Sequence, residues 1–335
     1  MENRESFTTA ILSQPQWMRR AAELAAGSLG HYDVAQWRAN ETVAVIGMGS
    51  STNAGAVFCE ALRAAGVRAV NIDAAAVEHY PAGFRPGDHV IVVSESGRSP
   101  EPIAAAQKMG AESIVVTNDV ASPVASLSAR VIPLGGFTDS GVYTIGYTTT
   151  LVALAAIAQA AGVCIADPLQ LAGVAESALA DFYGRLAGLG ASLNEAAVLD
   201  IVGQATGQGS AQAAALLFRE SCGLATAAHQ TIQYLHGPME SCGVGSAVLL
   251  FGDAREKQIA AQLRDAGVLV ARMVASPGES EDGVYRTSVA AGSGYEAAVA
   301  EVVFAQCVAA ELAALRGRDV GHFKYPQNDT KLPKA

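Results

Sequence analysis

Short apolar runs, each followed by a glycine- or serine-rich turn and then by an alanine-rich helical stretch, recur along this chain. The first is Val43-Ala44-Val45-Ile46, which leads into Gly47-Met48-Gly49-Ser50-Ser51-Thr52-Asn53 and a helix to about residue 65. Similar runs follow at 69–72, 89–93, 113–117 and 130–133, with helices at about 101–109 and 148–161. Continuous apolar runs suit strands buried on both faces, and strands alternating with helices pair in parallel through crossovers. The pattern therefore predicts an α/β fold with a doubly wound parallel sheet. Such sheets bind ligands beyond the carboxyl ends of their strands, where residues 49–52 and 94–99 are expected.

The alternation breaks around 161–167, and Pro168 opens a long Ala/Leu helix expected to end near residue 189. A second set then echoes the first. A strand at 198–202 enters Gly203-Gln204-Ala205-Thr206-Gly207-Gln208-Gly209-Ser210 and a helix at 211–222, followed by segments at 248–251, 254–266, 268–273 and 295–315. The expected organisation is an N-terminal helical arm (1–30), two tandem doubly wound domains (31–165 and 166–320) and a C-terminal tail (321–335). At 335 residues the chain has the length for two such domains.

Charge and cysteine content narrow the function. With 22 Lys and Arg against 32 Asp and Glu, the formal net charge is -10 and no basic stripe is present for nucleic acid. An anionic ligand has to be captured by local donors, which favours a small phosphate ester. No apolar run reaches the length of a membrane span, and the first twenty residues lack a signal-peptide pattern, so a cytoplasmic location without membrane attachment is expected. Five cysteines without CxxC spacing suggest neither a disulfide framework nor a structural metal site, and they read as small buried apolar residues.

The richest local chemistry lies at Val90-Ile91-Val92-Val93-Ser94-Glu95-Ser96-Gly97-Arg98-Ser99-Pro100. An apolar strand runs into a hydroxyl-rich loop, Gly97 permits a tight turn, and Pro100 suits the first turn of a helix. Ser94, Ser96 and Ser99 can then offer hydroxyls beside helical N–H groups, an arrangement that holds phosphate. An ordinary Ser/Gly turn with a capping serine accounts for the same residues equally well. Gly47-Met48-Gly49 lacks the third glycine of a dinucleotide fingerprint, because position 52 is Thr, and no P-loop pattern occurs. No cofactor is expected.

Met48-Gly49-Ser50-Ser51-Thr52-Asn53, the 94–99 loop, Arg219-Glu220-Ser221, His236-Gly237-Pro238 and Pro326-Gln327-Asn328-Asp329-Thr330-Lys331 stand in the order and approximate spacing of the sugar isomerase (SIS) family. In layout the chain resembles the isomerase half of glutamine-fructose-6-phosphate aminotransferase, without a preceding glutaminase domain. The resemblance implies two flavodoxin-like SIS domains and a homodimer with composite active sites. It implies a phosphate loop of Ser94, Ser96 and Ser99, with the Glu95 and Gly97 backbone N–H groups as further donors. It also implies a sugar pocket lined by Gly49, Ser50 and Ser51 and covered by a turn that includes Val142 and Thr144. Glu220 would move a proton between C1 and C2, His236 would assist ring opening in the neighbouring subunit, and Lys331 would form an imine with the sugar carbonyl, with Lys334 as its rival.

Taken alone, these residues have plainer readings: Glu220 as a solvated helix face, His236 as a turn histidine, and the tail as frayed chain. Three departures from the family stand out. Glu95 replaces a neutral residue, Leu217 stands where relatives carry a sugar-contacting lysine, and Gln204-Ala205 interrupts the usual glycine-arginine-glycine. A carboxylate at residue 95 repels phosphate unless it turns away or is neutralised. The resemblance thus implies a phosphosugar aldose-ketose isomerase or an amino-sugar 6-phosphate deaminase, with no metal. A fructosamine 6-phosphate deglycase and a non-catalytic sugar-phosphate sensor are the alternatives.

Overall fold

Both halves of the apolar pattern close into five-stranded sheets in the computed structural model, which describes residues 4–278, 280–325, 327 and 329–333. Two units result. One holds Ser13–Asp139, Ile145–Ala172 and the described tail after His322; the other holds residues 4–12, Ser140–Thr144 and Gly173–His322.

The first unit takes most of α1 (Phe7–Leu29), then β1 (Thr42–Gly47), α2 (Ser50–Ala64), β2 (Arg68–Asp73), β3 (His89–Val93), α3 (Pro100–Met109), β4 (Ile114–Thr117), β5 (Arg130–Pro133) and α4 (Ile145–Ala160). Its strands pair in parallel in the order β2-β1-β3-β4-β5. The four residues of β4 are all buried, as are Val43 to Ile46 of β1, which is why these runs carry no polar alternation. On α2, Ala54, Val57, Phe58, Ala61 and Leu62 form one buried stripe against the sheet. Burial of Phe58 or Leu62 contributes about 1.5–3 kcal/mol each, enough to fix which face of α2 turns inward. Within this unit α1 lays Trp17 against Phe137, with ring centroids 5.7 Å apart, and the buried Gln14 accepts a hydrogen bond from Thr148 at 3.0 Å.

The second unit takes most of α5 (Pro168–Phe182), then α6 (Ala187–Asn194), β6 (Val198–Gly203), α7 (Thr206–Cys222), β7 (Ala225–Gln230), α8 (Thr231–Tyr234), β8 (Ser246–Phe251), α9 (Arg255–Asp265), β9 (Leu269–Val274), β10 (Tyr285–Ser288) and α10 (Gly294–Leu315). Its strands, again parallel, run β7-β6-β8-β9-β10, the same winding as the first sheet. The helix expected at 168–189 is instead two helices, broken at Gly184, whose φ of +70° lies outside the helical range. Strands β7 and β10 were not expected from the sequence. α10 is also long and apolar enough to cross a bilayer, contrary to the expectation that no run reaches that length, but its residues are mostly buried and it packs on α6 and α7.

The two faces of the second sheet carry different layers. Val202, Val248 and Leu250 pack with Tyr234 and with Ile259 and Leu263 of α9, whereas α7 approaches Phe251 through Gly207. Successive strand residues point to opposite faces, so α7 and the segment after β7 lie on opposite sides of this sheet. The turns that enter α2 and α7 repeat one another closely. Gly49 adopts φ 53°, ψ -123°, and Ala205 adopts φ 52°, ψ -121°, a conformation that an L-residue with a Cβ rarely occupies.

Beside the α7 turn α10 buries Glu301, only 6% exposed. Its carboxyl hydrogen-bonds with Ser210, while Oε2 has no hydrogen-bond partner among the described residues. Glu256, 2% exposed, is close enough to act on it and accepts a hydrogen bond from the Thr231 hydroxyl. Burial, reinforced by the Glu256 charge and opposed by Ser210, pushes the Glu301 carboxyl up to about 7.

Candidate active site

In the first sheet β1 and β3 are neighbours although β2 lies between them in sequence, so the winding reverses between them. A crevice opens at such a reversal, beyond the carboxyl ends of the two strands. Two hydroxyl-rich turns meet this edge. After β1, Gly47 lets the chain double back, because a Cβ there would lie 2.9 Å from the Ser51 Cβ. Helix α2 then opens with Ser50, Ser51 and Thr52, has no acidic residue in its first turn, and takes no side-chain cap from Gly49. Thr52 Oγ1 is buried without a hydrogen-bond partner among the described residues. The open N–H groups and the dipole of a helix N-terminus favour an anion there.

After β3 the chain makes a tight turn closed by the Gly97 N–H donating to the Ser94 carbonyl at 3.1 Å. The Gly97 N–H, expected to face phosphate, thus closes its own turn in this structure. Gly97 has φ +65°, and a Cβ on it would meet Ser122 Oγ at 1.9 Å, so no other residue fits. The turn rests on β4: the Glu95 carbonyl accepts from the Asn118 N–H at 2.9 Å and from the Thr117 hydroxyl at 3.2 Å. Ser94 is buried, Ser96 Oγ accepts from the Arg98 N–H at 3.4 Å, and Ser99 begins α3 without spending its hydroxyl on a capping bond.

The Glu95 carboxylate is tied to the residue that follows β4. Its Oε1 accepts from the Asn118 amide at 3.2 Å, and the same amide group donates to the Phe137 carbonyl at 2.8 Å. Asn118 Oδ1 in turn accepts from the Gly136 and Phe137 N–H groups. Asn118 therefore ties the 94–99 loop to the chain after β5, a role that the sequence signalled only by an amide side chain at a strand end. The one basic residue of the loop, Arg98, is buried with its guanidinium 3.9 Å from Asp119.

The tail reaches this loop within the same unit. The Leu332 N–H donates to the Arg98 carbonyl at 2.9 Å, which sets the exposed Lys331 one residue from a backbone anchor on the loop. Pro326 and Asn328 of the tail motif, and the rival Lys334, lie outside the described residues. The unit thus gathers Gly49, Ser50, Ser51, residues 94–99 and Lys331 toward one sheet edge.

The remaining candidates belong to the second unit. Val142 and Thr144 are buried; the preceding Gly141 packs so closely that a Cβ on it would lie 2.0 Å from the Gly321 Cα. Glu220 is half-buried two residues from the end of α7, which Gly223 terminates at φ +63°. Leu217 is buried one turn before it. His236 is exposed in the turn after α8. The structure does not bring Glu220 and His236 together within this unit: they lie on elements that cover opposite sides of the second sheet.

Comparison with curated proteins gives no match. Among solved structures the chain is similar to the C-terminal domain of glucosamine-fructose-6-phosphate aminotransferase from Francisella tularensis, at 16% identity and a TM-score of 0.80, over 95% of this chain and 98% of that one. It is similar to tagatose-6-phosphate ketose/aldose isomerase from Escherichia coli at 17% identity and a TM-score of 0.78, over 96% of each chain. It is also similar to glucosamine-6-phosphate deaminase from Thermotoga maritima at 19% identity and a TM-score of 0.70, over 94% and 96%. At these identities the likeness is one of fold. The SIS domain family model matches residues 37–161, which include all five strands of the first sheet and both hydroxyl-rich turns.

Proposed function

We propose that the protein is an enzyme acting on a hexose 6-phosphate derivative, as an aldose-ketose isomerase or an amino-sugar 6-phosphate deaminase. The observation that carries this reading is the pair of hydroxyl-rich turns at the β1/β3 reversal, with the Lys331 segment hydrogen-bonded to one of them. In this reading Ser94, Ser96 and Ser99 hold the phosphate, and Gly49, Ser50, Ser51, Val142 and Thr144 line the sugar site. Their hydroxyls suit a dianion in a protein of net charge -10, because the attraction is local rather than long-range. His236 moves a proton between the ring oxygen and the anomeric hydroxyl to open the sugar. Glu220 then carries a proton between C2 and C1 through an enediol, or through an enolamine when nitrogen is present.

The distance between Glu220 and His236 in one unit supports a composite site, in which His236 comes from a second copy of the chain. The tethered Lys331 favours nitrogen chemistry: its amine adds to the sugar carbonyl, water leaves, and the imine is later hydrolysed. No step calls for a metal or an organic cofactor, and a cytoplasmic homodimer is the setting proposed.

The deciding experiment incubates the purified protein with hexose, hexosamine and fructosamine 6-phosphates and follows ketose, ammonia and amine release. Turnover of at least one phosphorylated sugar, and none of its unphosphorylated form, is the expected result. Equal turnover of both forms, or none of either, refutes the proposal. Mixing inactive Glu220→Gln and His236→Ala chains should restore part of the activity; hybrids that assemble and stay inactive refute the composite site.

A further inference from the structure

On the α9 face of the second sheet, four polar side chains meet in a place that the reaction above does not use. Asp200, the third residue of β6, accepts a hydrogen bond from the buried Tyr234 hydroxyl at 3.1 Å on Oδ2. The Cys242 thiol lies 3.5 Å from the same oxygen and 2.9 Å from the Tyr234 hydroxyl. His229 Nε2 stands 3.6 Å from the other carboxylate oxygen, and its ring lies 5.1 Å from that of Tyr234. Burial pushes the titration of both the Tyr234 hydroxyl and the Cys242 thiol upward, so each keeps its proton and serves as a donor. Tyr234 and Cys242 are also the two ends of the segment that carries His236. Between them lie Gly237, at φ +138°, and a short 3₁₀ turn over Pro238–Ser241, with His236 itself exposed. The segment is therefore a loop pinned at both feet to one carboxylate.

We propose that Asp200 is a positioning residue that clamps both ends of the His236 loop through Tyr234 and Cys242, holding an exposed imidazole at a set height and direction for presentation. The catalytic consequence rests on the role of His236 given above; the clamp itself does not. An exposed histidine on an unrestrained loop would lose conformational entropy each time it engaged a sugar. A loop fixed at its feet has already lost it. One carboxylate serving both feet also makes the contacts interdependent, since removal of the charge weakens both donors together.

The test uses the full chain in a Cys164→Ser background, because Cys164 is exposed while Cys59, Cys222 and Cys307 are buried. The readouts are Cys242 labelling by an aromatic disulfide, backbone hydrogen exchange over residues 231–242, and steady-state kinetics on the fastest phosphosugar of the panel. In Asp200→Asn, labelling and exchange of the loop should rise about tenfold while exchange in β8 and β9 stays native, and kcat should fall about tenfold at unchanged KM. Cys242→Ser, which keeps a donor, should retain native exchange in residues 235–241, whereas Cys242→Ala should raise it. If Asp200→Asn does not fold, Tyr234→Phe removes one foot without altering β6 and should loosen the same residues. Unchanged labelling and exchange in either variant overturns the clamp whatever the turnover. A loosened loop with native kcat overturns its positioning role. A wild-type protein that turns over nothing in the panel overturns the enzyme reading, and the clamp then stands or falls on labelling and exchange alone.

Discussion

Replacing Glu301 with Gln should make the protein more stable at alkaline pH and change it little in acid. The Glu301 carboxyl, 6% exposed on α10, titrates at about 7 instead of 4.5 because burial disfavours its charged form. The unfolded chain releases this proton near 4.5 and the folded chain keeps it to about 7, so the stabilisation is complete below 4.5. It is lost as pH rises through that window and levels off above it. At about 1.4 kcal/mol for each pH unit of separation, the loss is roughly 3–4 kcal/mol. Glutamine fills nearly the same volume, cannot ionise, and retains a group able to bond Ser210. The assay is thermal unfolding of both proteins from pH 5 to 9. Other carboxylates, such as Glu41, whose acidity is raised by His89, give both proteins a common slope, so the difference between the two curves is the quantity to read. That difference should grow with pH by several degrees, since 1 kcal/mol is worth roughly 2–4 °C in a unit of this size. Parallel curves would refute the argument, because they would mean that Glu301 ionises alike in the folded and unfolded chain.

Three further outcomes are expected. Ser96→Ala removes one hydroxyl from a charged ligand, worth about 1.5–3 kcal/mol, so calorimetric titration with the best phosphosugar should show roughly tenfold to hundredfold weaker binding; native affinity contradicts the phosphate loop. Ala205→Gly relieves a strained backbone worth about 1–3 kcal/mol at an entropic cost of about 0.5–1, so urea unfolding should show a net gain near 1 kcal/mol, and a loss refutes the strain. Borohydride added during turnover of an amino-sugar phosphate should trap the sugar on Lys331, as peptide mapping will reveal; an adduct on Lys334 moves the role to that residue, and no adduct removes the imine from the reaction.

The sequence reveals those features whose causes are local. The apolar runs of β1, β3, β4 and β8 announce themselves because both faces of each strand are buried. The hydroxyl-rich turn after β3 is legible for a similar reason: strand, glycine and hydroxyls lie within eleven consecutive residues. β7 escapes notice because Ala225-Thr226-Ala227-Ala228-His229-Gln230 has little strand preference of its own and is held in the sheet by pairing with β6. The break between α5 and α6 depends on the backbone at Gly184, which an Ala/Leu-rich context conceals. The Asp200 cluster joins residues 34 and 42 positions apart, and its one sequence signal is a carboxylate inside an otherwise apolar strand. Lys331 has meaning only through the bond from Leu332 to Arg98, which tail composition does not foretell.

The placement of α7 and the His236 loop on opposite faces of one sheet has a kinetic meaning. If the reaction uses both Glu220 and His236, as proposed above, an isolated chain does not complete it, because the two stand on opposite sides of that sheet. Activity then follows mass action. Specific activity should fall when the protein is diluted below its own dissociation constant, return with second-order kinetics on concentration, and show a lag when assays begin from dilute stock. In such a system the concentration of the chain itself acts as a regulator of flux.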